Sequence, residues 1–318
     1  MTLIIKEKDV VNLLDYKEVY DSLVNAFLLL ENKRATNIER IRIPFGGNTL
    51  SIQASAMEGY IGYKAFIGGN FLIYIYDTNG NLLSIIESDR LTQIRTAMLP
   101  IIASDLIYGN YNSVGVIGLG KHGLASVETL NEVRKGIKIF VFTPSKERME
   151  KSLSILKEEG IDVVPKESIK KVCEESEVII TITKAKDPFL KLDYITNKRV
   201  HINAMGSTVP EKLEIYPEVI KAASIIAVED INQSLKEAGE LVIANKLNML
   251  DHNKLVPISS IISGKNNIVK EGITIFKSVG IGLEDLAVGK LVYEKALRKG
   301  LGIEIEVKGT WYRELGKK

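Results

Sequence analysis

Residues 114–124 read VGVIGLGKHGL: an apolar strand runs into Gly118-Leu-Gly120-Lys-His-Gly123, and an apolar helical pattern follows. This stretch limits the fold most, because each glycine answers a steric demand. Gly118 permits a tight turn, Gly120 lets backbone approach a pyrophosphate, and Gly123 lets a helix pack closely on its strand. The helix N-terminus then offers free N–H groups and a positive dipole end to an anion, with Lys121 and His122 at hand for polar contact. A glycine turn without a ligand can carry the same string. The strand before it, the helix after it and the series of strands and helices beyond favour a dinucleotide.

That series sets the fold class. SVGVIGLG, KIFVF, DVVP, EVIITIT, RVHINAMG and SIIAV are short apolar strands, most of them separated by amphipathic or polar helical stretches. They predict an α/β, Rossmann-type doubly wound parallel sheet. The glycine loop begins only after more than a third of the chain, and the residues ahead of it read differently. DYKEVYDSLVNAFLLLENK places Val19, Leu23, Phe27 and Leu30 on one helical face. TLSIQASA and GYKAFIGG read as strands, and Phe71–Tyr76 with Leu82–Ile86 form a hairpin around Asn79-Gly80. A helix follows in SDRLTQIRTAMLPIIASDL, with Ser88 or Asp89 as its cap.

The tail leaves the alternating rhythm. EDLAVGKLVYEKALRKG reads as a helix ended by Gly300, and GIEIEVKG alternates as a half-exposed strand. Two domains are therefore expected: a discontinuous α+β domain from residues 1–112 and 285–318, and a dinucleotide-binding domain from residues 113–284. Trp311, the single tryptophan, is expected to pack the tail onto the first domain.

Composition narrows the partners. The 318 residues carry 42 Lys and Arg against 40 Asp and Glu, with no long basic run, which argues against nucleic acid. Apolar stretches are broken by charge well short of 18 residues, so no membrane span is expected. The N-terminal residues lack a signal-peptide layout, and Cys173 is alone, so a reduced, cytoplasmic setting without disulfides or a cysteine metal cluster fits best. His122, His201 and His252 have no metal-site spacing, and His201 reads as a hydrogen-bonded structural residue.

The strand KIFVF ends in Phe142-Thr143-Pro144-Ser145, with Lys146 and Arg148 beyond. An acid there would bind a ribose 2′-hydroxyl; hydroxyls and cations suit a 2′-phosphate instead, so NADP(H) is favoured over NAD(H). Lys146 and Arg148 also fit as ordinary solvated helix residues.

Three basic residues of the first domain stand out: Arg40 in IERIRIP, Lys64 in GYKAFIGG and Arg95 in LTQIRTAM. Singly, each reads as a surface charge or an ion-pair member. A strand lysine among small residues is better explained if its amine faces a cleft, and arginine suits carboxylates because its fork binds them bidentately.

With ERIRIP, GYKAFIGGN, LTQIRTA, VIGLGKHG, ITITKAKDPFL, HINAMGSTVPEKLEI and TIFKSVGIGLED in this order, the chain resembles the ornithine cyclodeaminase/μ-crystallin family, which includes archaeal alanine dehydrogenases and ketimine reductases. The resemblance spans nearly the whole length. It implies a substrate and dimerisation domain wrapped around a dinucleotide domain, a homodimer, and a small amino or imino acid substrate. By motif it implies that Arg40, Lys64 and Arg95 hold the substrate carboxylate and act at the reacting nitrogen, with Lys64 catalytic and Arg95 also beside the cofactor. Family spacing prefers Arg40 to Arg42. Thr183 would touch the nicotinamide ribose; Asn203, Ala204, Met205, Gly206, Lys212 and Ser278 would line the nicotinamide side, and Val279 would contact substrate.

Two departures matter. Family cyclodeaminases carry an aspartate where this chain has Thr208, at the substrate, and a glutamate where it has Ser51. Cyclodeamination needs a base to free the distal amine for ring closure, a contribution of roughly 10²–10⁴-fold that a threonine cannot supply at neutral pH. Simple hydride transfer needs only a carboxylate clamp, a proton carrier at nitrogen and a held nicotinamide. An NAD(P)-dependent amino-acid dehydrogenase or imine reductase is therefore expected, with ornithine cyclodeaminase and a μ-crystallin-like NADP-dependent binding protein as the alternatives.

Overall fold

The computed structural model describes residues 1–266 and 271–307. Trp311 lies outside the described residues. Two eight-stranded sheets organise the chain. The first opens with β1 (Thr2–Ile5), then takes β2 (Ala35–Asn37), β3 (Ile41–Phe45), β4 (Asn48–Met57), β5 (Tyr60–Ile67), β6 (Asn70–Asp77) and β7 (Leu82–Glu87). β4 to β7 form an antiparallel meander, and β1 pairs with β7 in parallel. Gly80, at φ +85°, closes the β6–β7 turn in a conformation that few other residues accept.

The second sheet holds β8 (Ser113–Ile117), β9 (Lys138–Phe142), β10 (Val164–Pro165), β11 (Val178–Thr181), β12 (Arg199–Ala204), β13 (Ala223–Val228), β14 (Leu255–Pro257) and β15 (Gly272–Lys277). All its pairs are parallel, in the order β10-β9-β8-β11-β12-β15-β13-β14. The order reverses between β8 and β11, which opens a ligand crevice at the strand carboxyl ends. β14 and β15 went unread in the sequence, yet β15 lies near the centre of the sheet. The chain then returns: the helix Gly282–Lys299 packs on β4, β5 and β6, stops at Gly300 in the left-handed conformation (φ +62°), and β16 (Ile303–Ile305) pairs antiparallel with β1.

Side-chain period explains the packing. Val19, Leu23 and Phe27 of the helix Tyr16–Glu31 are fully buried, and Leu30 packs at the margin of the same core. On β4 to β6 one face is inward, with Gln53, Lys64, Ile73 and Ile75 buried. The opposite face is apolar but only half covered: Ile52, Tyr63 and Tyr74 point outward, Ile61 is exposed, and Tyr63 stacks on Tyr74 at 4.8 Å between ring centres. Among the described residues no helix is long and apolar enough to cross a membrane.

The start of the helix Asp89–Ile107 departs from expectation. Ser88 occupies the cap position, but its side chain makes no capping bond. Glu7 reaches over from the first helix instead, accepting from the backbone N–H of Asp89 (3.0 Å) and Arg90 (2.5 Å). A carboxylate at a helix N-terminus serves two orphan donors and the dipole together.

Candidate active site

A cavity of about 1420 Å³ lies between the inward face of the first sheet and the carboxyl ends of the second. No aspartate or glutamate is among the described residues that line it.

On the parallel-sheet side the glycines take separate positions. Gly118 has φ +108°, and a Cβ there would lie 2.5 Å from the carbonyl oxygen of Ile182. A Cβ on Gly123 would meet the Gly118 carbonyl oxygen at 1.8 Å, so helix and strand touch backbone to backbone. At Gly120 a Cβ would meet nothing within 4 Å; it would stand in the cavity. Gly120 is also the N-cap of the helix Lys121–Val133, and no side chain caps that terminus. An uncapped helix start facing an open space, with no side chain at Gly120 to fill it, fits a pyrophosphate. His122 lines the same space with its Nδ1 buried and unpartnered, and burial, with Arg95 nearby, lowers its pKa to about 4. It is a neutral ring at physiological pH. Lys121 lines the cavity as well, its amine paired with Asp89.

Beyond β9, Thr143, Ser145, Arg148 and Lys151 line one end of the cavity, and Ser145 caps the next helix by accepting from the Arg148 N–H at 3.2 Å. Lys146 is exposed and off the cavity wall. At the other end Thr183, Met205, Gly206, Thr208, Lys212, Ser278 and Val279 come to the wall. Asn203 and Ala204 do not. Both are fully buried inside β12, and the Asn203 amide donates to Ser104 on the helix Asp89–Ile107 at 3.0 Å. Strand alternation turns the Asn203 side chain into the layer behind the crevice, next to His201. His201 is itself buried between Thr274 (2.9 Å) and Asn203 (3.2 Å), and burial lowers its pKa to about 3.

Facing the glycine loop, the first sheet presents its cations. Lys64 on β5 is 2% exposed, and its amine lies 2.9 and 2.7 Å from the two carboxylate oxygens of Asp285. Burial, then the neighbouring Arg95 guanidinium, lowers the Lys64 pKa to about 7, while Asp285 opposes both. Arg95 is 5% exposed; its Nε donates to Asp285 at 3.1 Å and its Nη1 to Glu284 at 2.5 Å. Arg40 donates to the carbonyls of Val279 (2.5 Å) and Gly280 (2.9 Å) and pairs with Glu237 at 3.3 Å. Both guanidiniums converge on Gly280: a Cβ there would lie 3.1 Å from Arg95 Nη1 and 3.6 Å from Arg40 Nη2. Two arginine forks and an amine at one cavity wall are suited to a carboxylate and its adjacent nitrogen.

Arg42 lies on the same wall but further out, bonded to Glu237 (2.7 Å) and to the Thr208 carbonyl (2.8 Å). Ser51, opposite Arg42 in the β3–β4 register, also lines the cavity, so both positions that lack the family acids face the site.

Sequence reasoning missed the acids that hold this cluster. Asp285 and Glu284 stand in the first turn of the helix Gly282–Lys299. Glu229 accepts from the Ser278 hydroxyl and from the N–H groups of Val279 (3.2 Å) and Gly280 (3.3 Å), fixing the loop whose carbonyls orient Arg40. Glu214 ties β11 to β12 through Thr181 (2.7 Å), Thr183 N–H (2.6 Å) and Gly206 N–H (2.8 Å). The available signal was indirect: a buried lysine and arginine must have buried counter-charges.

Against this geometry, the model of the Ornithine cyclodeaminase/mu-crystallin family matches residues 70–300. Among curated relatives, the Delta(1)-pyrroline-2-carboxylate reductase of Bacillus cereus is 29% identical over 96% of this chain and 99% of its own length. The alanine dehydrogenase of Archaeoglobus fulgidus is 27% identical over 96% and 98%. Among solved structures, Thermococcus litoralis Delta(1)-pyrroline-2-carboxylate reductase in complex with NADH and L-proline superposes with a TM-score of 0.88. It is 25% identical, covering 96% of this chain and 100% of that one.

Proposed function

Because the chain belongs to the ornithine cyclodeaminase/mu-crystallin family, we propose that it is an NAD(P)-dependent oxidoreductase moving a hydride between nicotinamide and the α-carbon of a small amino or imino acid. The observation that carries this reading is the convergence of Arg40, Arg95 and Lys64 on the cavity wall opposite the glycine loop. The relatives support it, being reductases of a cyclic imino acid and a dehydrogenase of an amino acid. Residues 1–112 and 285–318 handle the substrate, and residues 113–284 the dinucleotide.

In this reading a bound nicotinamide supplies or takes the hydride. Arg95 and Arg40 bind the substrate carboxylate and so orient the C=N bond across the cavity. Lys64 gives its proton to the imine nitrogen as the hydride reaches carbon, and takes it back in the oxidative direction. A lysine with a pKa near 7 suits both directions, since general acid–base catalysis works best with a pKa close to the operating pH. Gly118, Gly120, Lys121, His122 and Gly123 form the pyrophosphate end; Thr183, Met205, Gly206, Lys212 and Ser278 hold the nicotinamide half, and Val279 and Thr208 face the substrate.

Either nicotinamide dinucleotide fits, and a 2′-phosphate is favoured, because Thr143, Ser145, Arg148 and Lys151 line the far end with no carboxylate to repel it. The enzyme works as a homodimer, supported by the half-covered apolar face of the first sheet.

The test is a nicotinamide absorbance screen with both cofactors, across 1-pyrroline-2-carboxylate, keto acids with ammonia, and ornithine. Reduction of the imine or of a keto acid with ammonia is expected, with the lower KM for NADPH. Proline and ammonia formed from ornithine would contradict the reading in favour of a cyclodeaminase. Cofactor binding without any turnover would leave a binding protein.

A further inference from the structure

We propose that Asp285 is a positioning residue for the proton that Lys64 carries: its carboxylate aims the lysine amine and sets the pH range over which reduction runs. This rests on the reading of Lys64 as proton carrier.

The geometry is specific. Lys64 reaches both oxygens of one carboxylate, at 2.9 and 2.7 Å, in a place where the lysine side chain is 2% exposed and the aspartate side chain not exposed at all. Asp285 stands in the first turn of the helix Gly282–Lys299, at the positive end of its dipole. Its Oδ1 also accepts from Arg95 Nε at 3.1 Å, so one carboxylate spaces the amine from the guanidinium.

The other charged groups around Lys64 do not substitute for it. From the helix Asp89–Ile107 comes Arg95, a cation. From the segment ahead of β3 comes Arg40, another cation, and from the helix Lys121–Val133 comes His122, a neutral ring with a pKa lowered to about 4. From β4, directly across in register, comes Gln53, which is neutral. Glu284, next to Asp285, is spent on Arg95 and on the Ile281 N–H (3.1 Å). Asp285 is thus the carboxylate in contact with the amine. Replacing it by an amide leaves Lys64 between two guanidiniums with no anion touching it.

The consequence differs between the two directions. In reduction an N–H bond of the Lys64 ammonium breaks as an N–H bond forms at the imine nitrogen. The hydride adds at carbon, the imine is reduced and the dinucleotide oxidised; Lys64 then regains a proton from solvent. In amine oxidation the neutral lysine receives that proton. Losing the Asp285 charge disfavours the ammonium, so reduction weakens at alkaline pH while oxidation extends to lower pH.

The experiment measures kcat/KM against pH for 1-pyrroline-2-carboxylate reduction and L-proline oxidation, in the wild type, Asp285→Asn, Asp285→Glu and Glu284→Gln. In Asp285→Asn the alkaline limb of reduction is expected to move down by about 1–3 pH units, the scale for removing an opposite charge in contact. The acid limb of oxidation should move the same way. Asp285→Glu should restore the limb, and Glu284→Gln, which removes a carboxylate that does not touch the lysine amine, should move it less than Asp285→Asn does. A limb that stays put in Asp285→Asn, or equal losses in both directions at every pH, would overturn the proposal. So would a limb that Asp285→Glu fails to restore. An NMR titration of the lysine Cε signals, with Lys64→Ala to assign Lys64, reads the same shift without turnover. A drop in the Lys64 pKa in Asp285→Asn, in a protein that reduces no imine, would uphold the Asp285–Lys64 linkage and defeat the functional reading. An unchanged pKa would defeat the linkage alone.

Discussion

At the scale of residues, the site is a set of charges that burial forces to share protons. Glu284 is pushed up to about 8: burial dominates, Glu229 and Asp285 add to it, and Arg95 pulls the other way without prevailing. The sign for stability follows. Between the ordinary carboxyl value of 4.5 and about 8, the folded protein keeps a proton that the unfolded chain has released. Stability contributed by this site therefore falls as pH rises through that window. Lys64 acts differently, since its lowered pKa makes the folded state bind fewer protons between about 7 and 10.5, and its cost eases as pH rises there. Glu284→Gln, an uncharged isostere, should gain on the wild type progressively as pH rises from 4.5 to about 8, because only the wild type must give up that retained proton. Denaturant unfolding across that pH range checks it, and a constant gap would contradict the shared-proton account.

At the scale of elements, what was legible is what local patterns determine. The glycine loop, the hairpin at Gly80, the helix ending at Gly300 and six strands of the parallel sheet follow from periodicity and turn chemistry. Strand β15 was not, because GITIFK follows a polar stretch and its place between β12 and β13 is decided by non-local pairing. Ser88 holds the cap position of the helix Asp89–Ile107 that the local motif predicts, but the carboxylate that serves this terminus, Glu7, is more than eighty residues away and invisible to such a motif. The half-covered face of β4 to β6 carries its own prediction. Under the proposed homodimer, the sheet face with Ile61 exposed and Tyr63 and Tyr74 stacked would receive the second copy, since monomers seldom leave such patches open. Sedimentation should give twice the 35.3 kDa chain mass, with Ile61→Lys shifting it towards one; a wild-type monomer would contradict the dimer.

At the scale of the whole molecule, the site exists only where the two sheets meet. Glu237, from the second sheet's side, holds Arg40 and Arg42 together, and Lys236 pairs with Glu39 at 2.6 Å beside them. The cations of the site were legible because a lysine or arginine among small apolar residues breaks a pattern. Their acids were not, because GLED looks like any acidic first helical turn and Glu229 and Glu237 sit beside ordinary helix starts and ends. Asn203 shows the converse, a motif residue whose side chain strand alternation turns away from the cavity. Lys64 is proposed to deliver a proton as hydride is transferred, in a cavity whose arginines suit a carboxylate. The most direct test of that role is the reduction of 1-pyrroline-2-carboxylate by the wild type and by Lys64→Ala, with dinucleotide affinity measured beside it. A fall in kcat of about 10²–10⁴-fold, the usual worth of a general acid, is expected in Lys64→Ala, with dinucleotide affinity retained. An unchanged kcat in Lys64→Ala would contradict it.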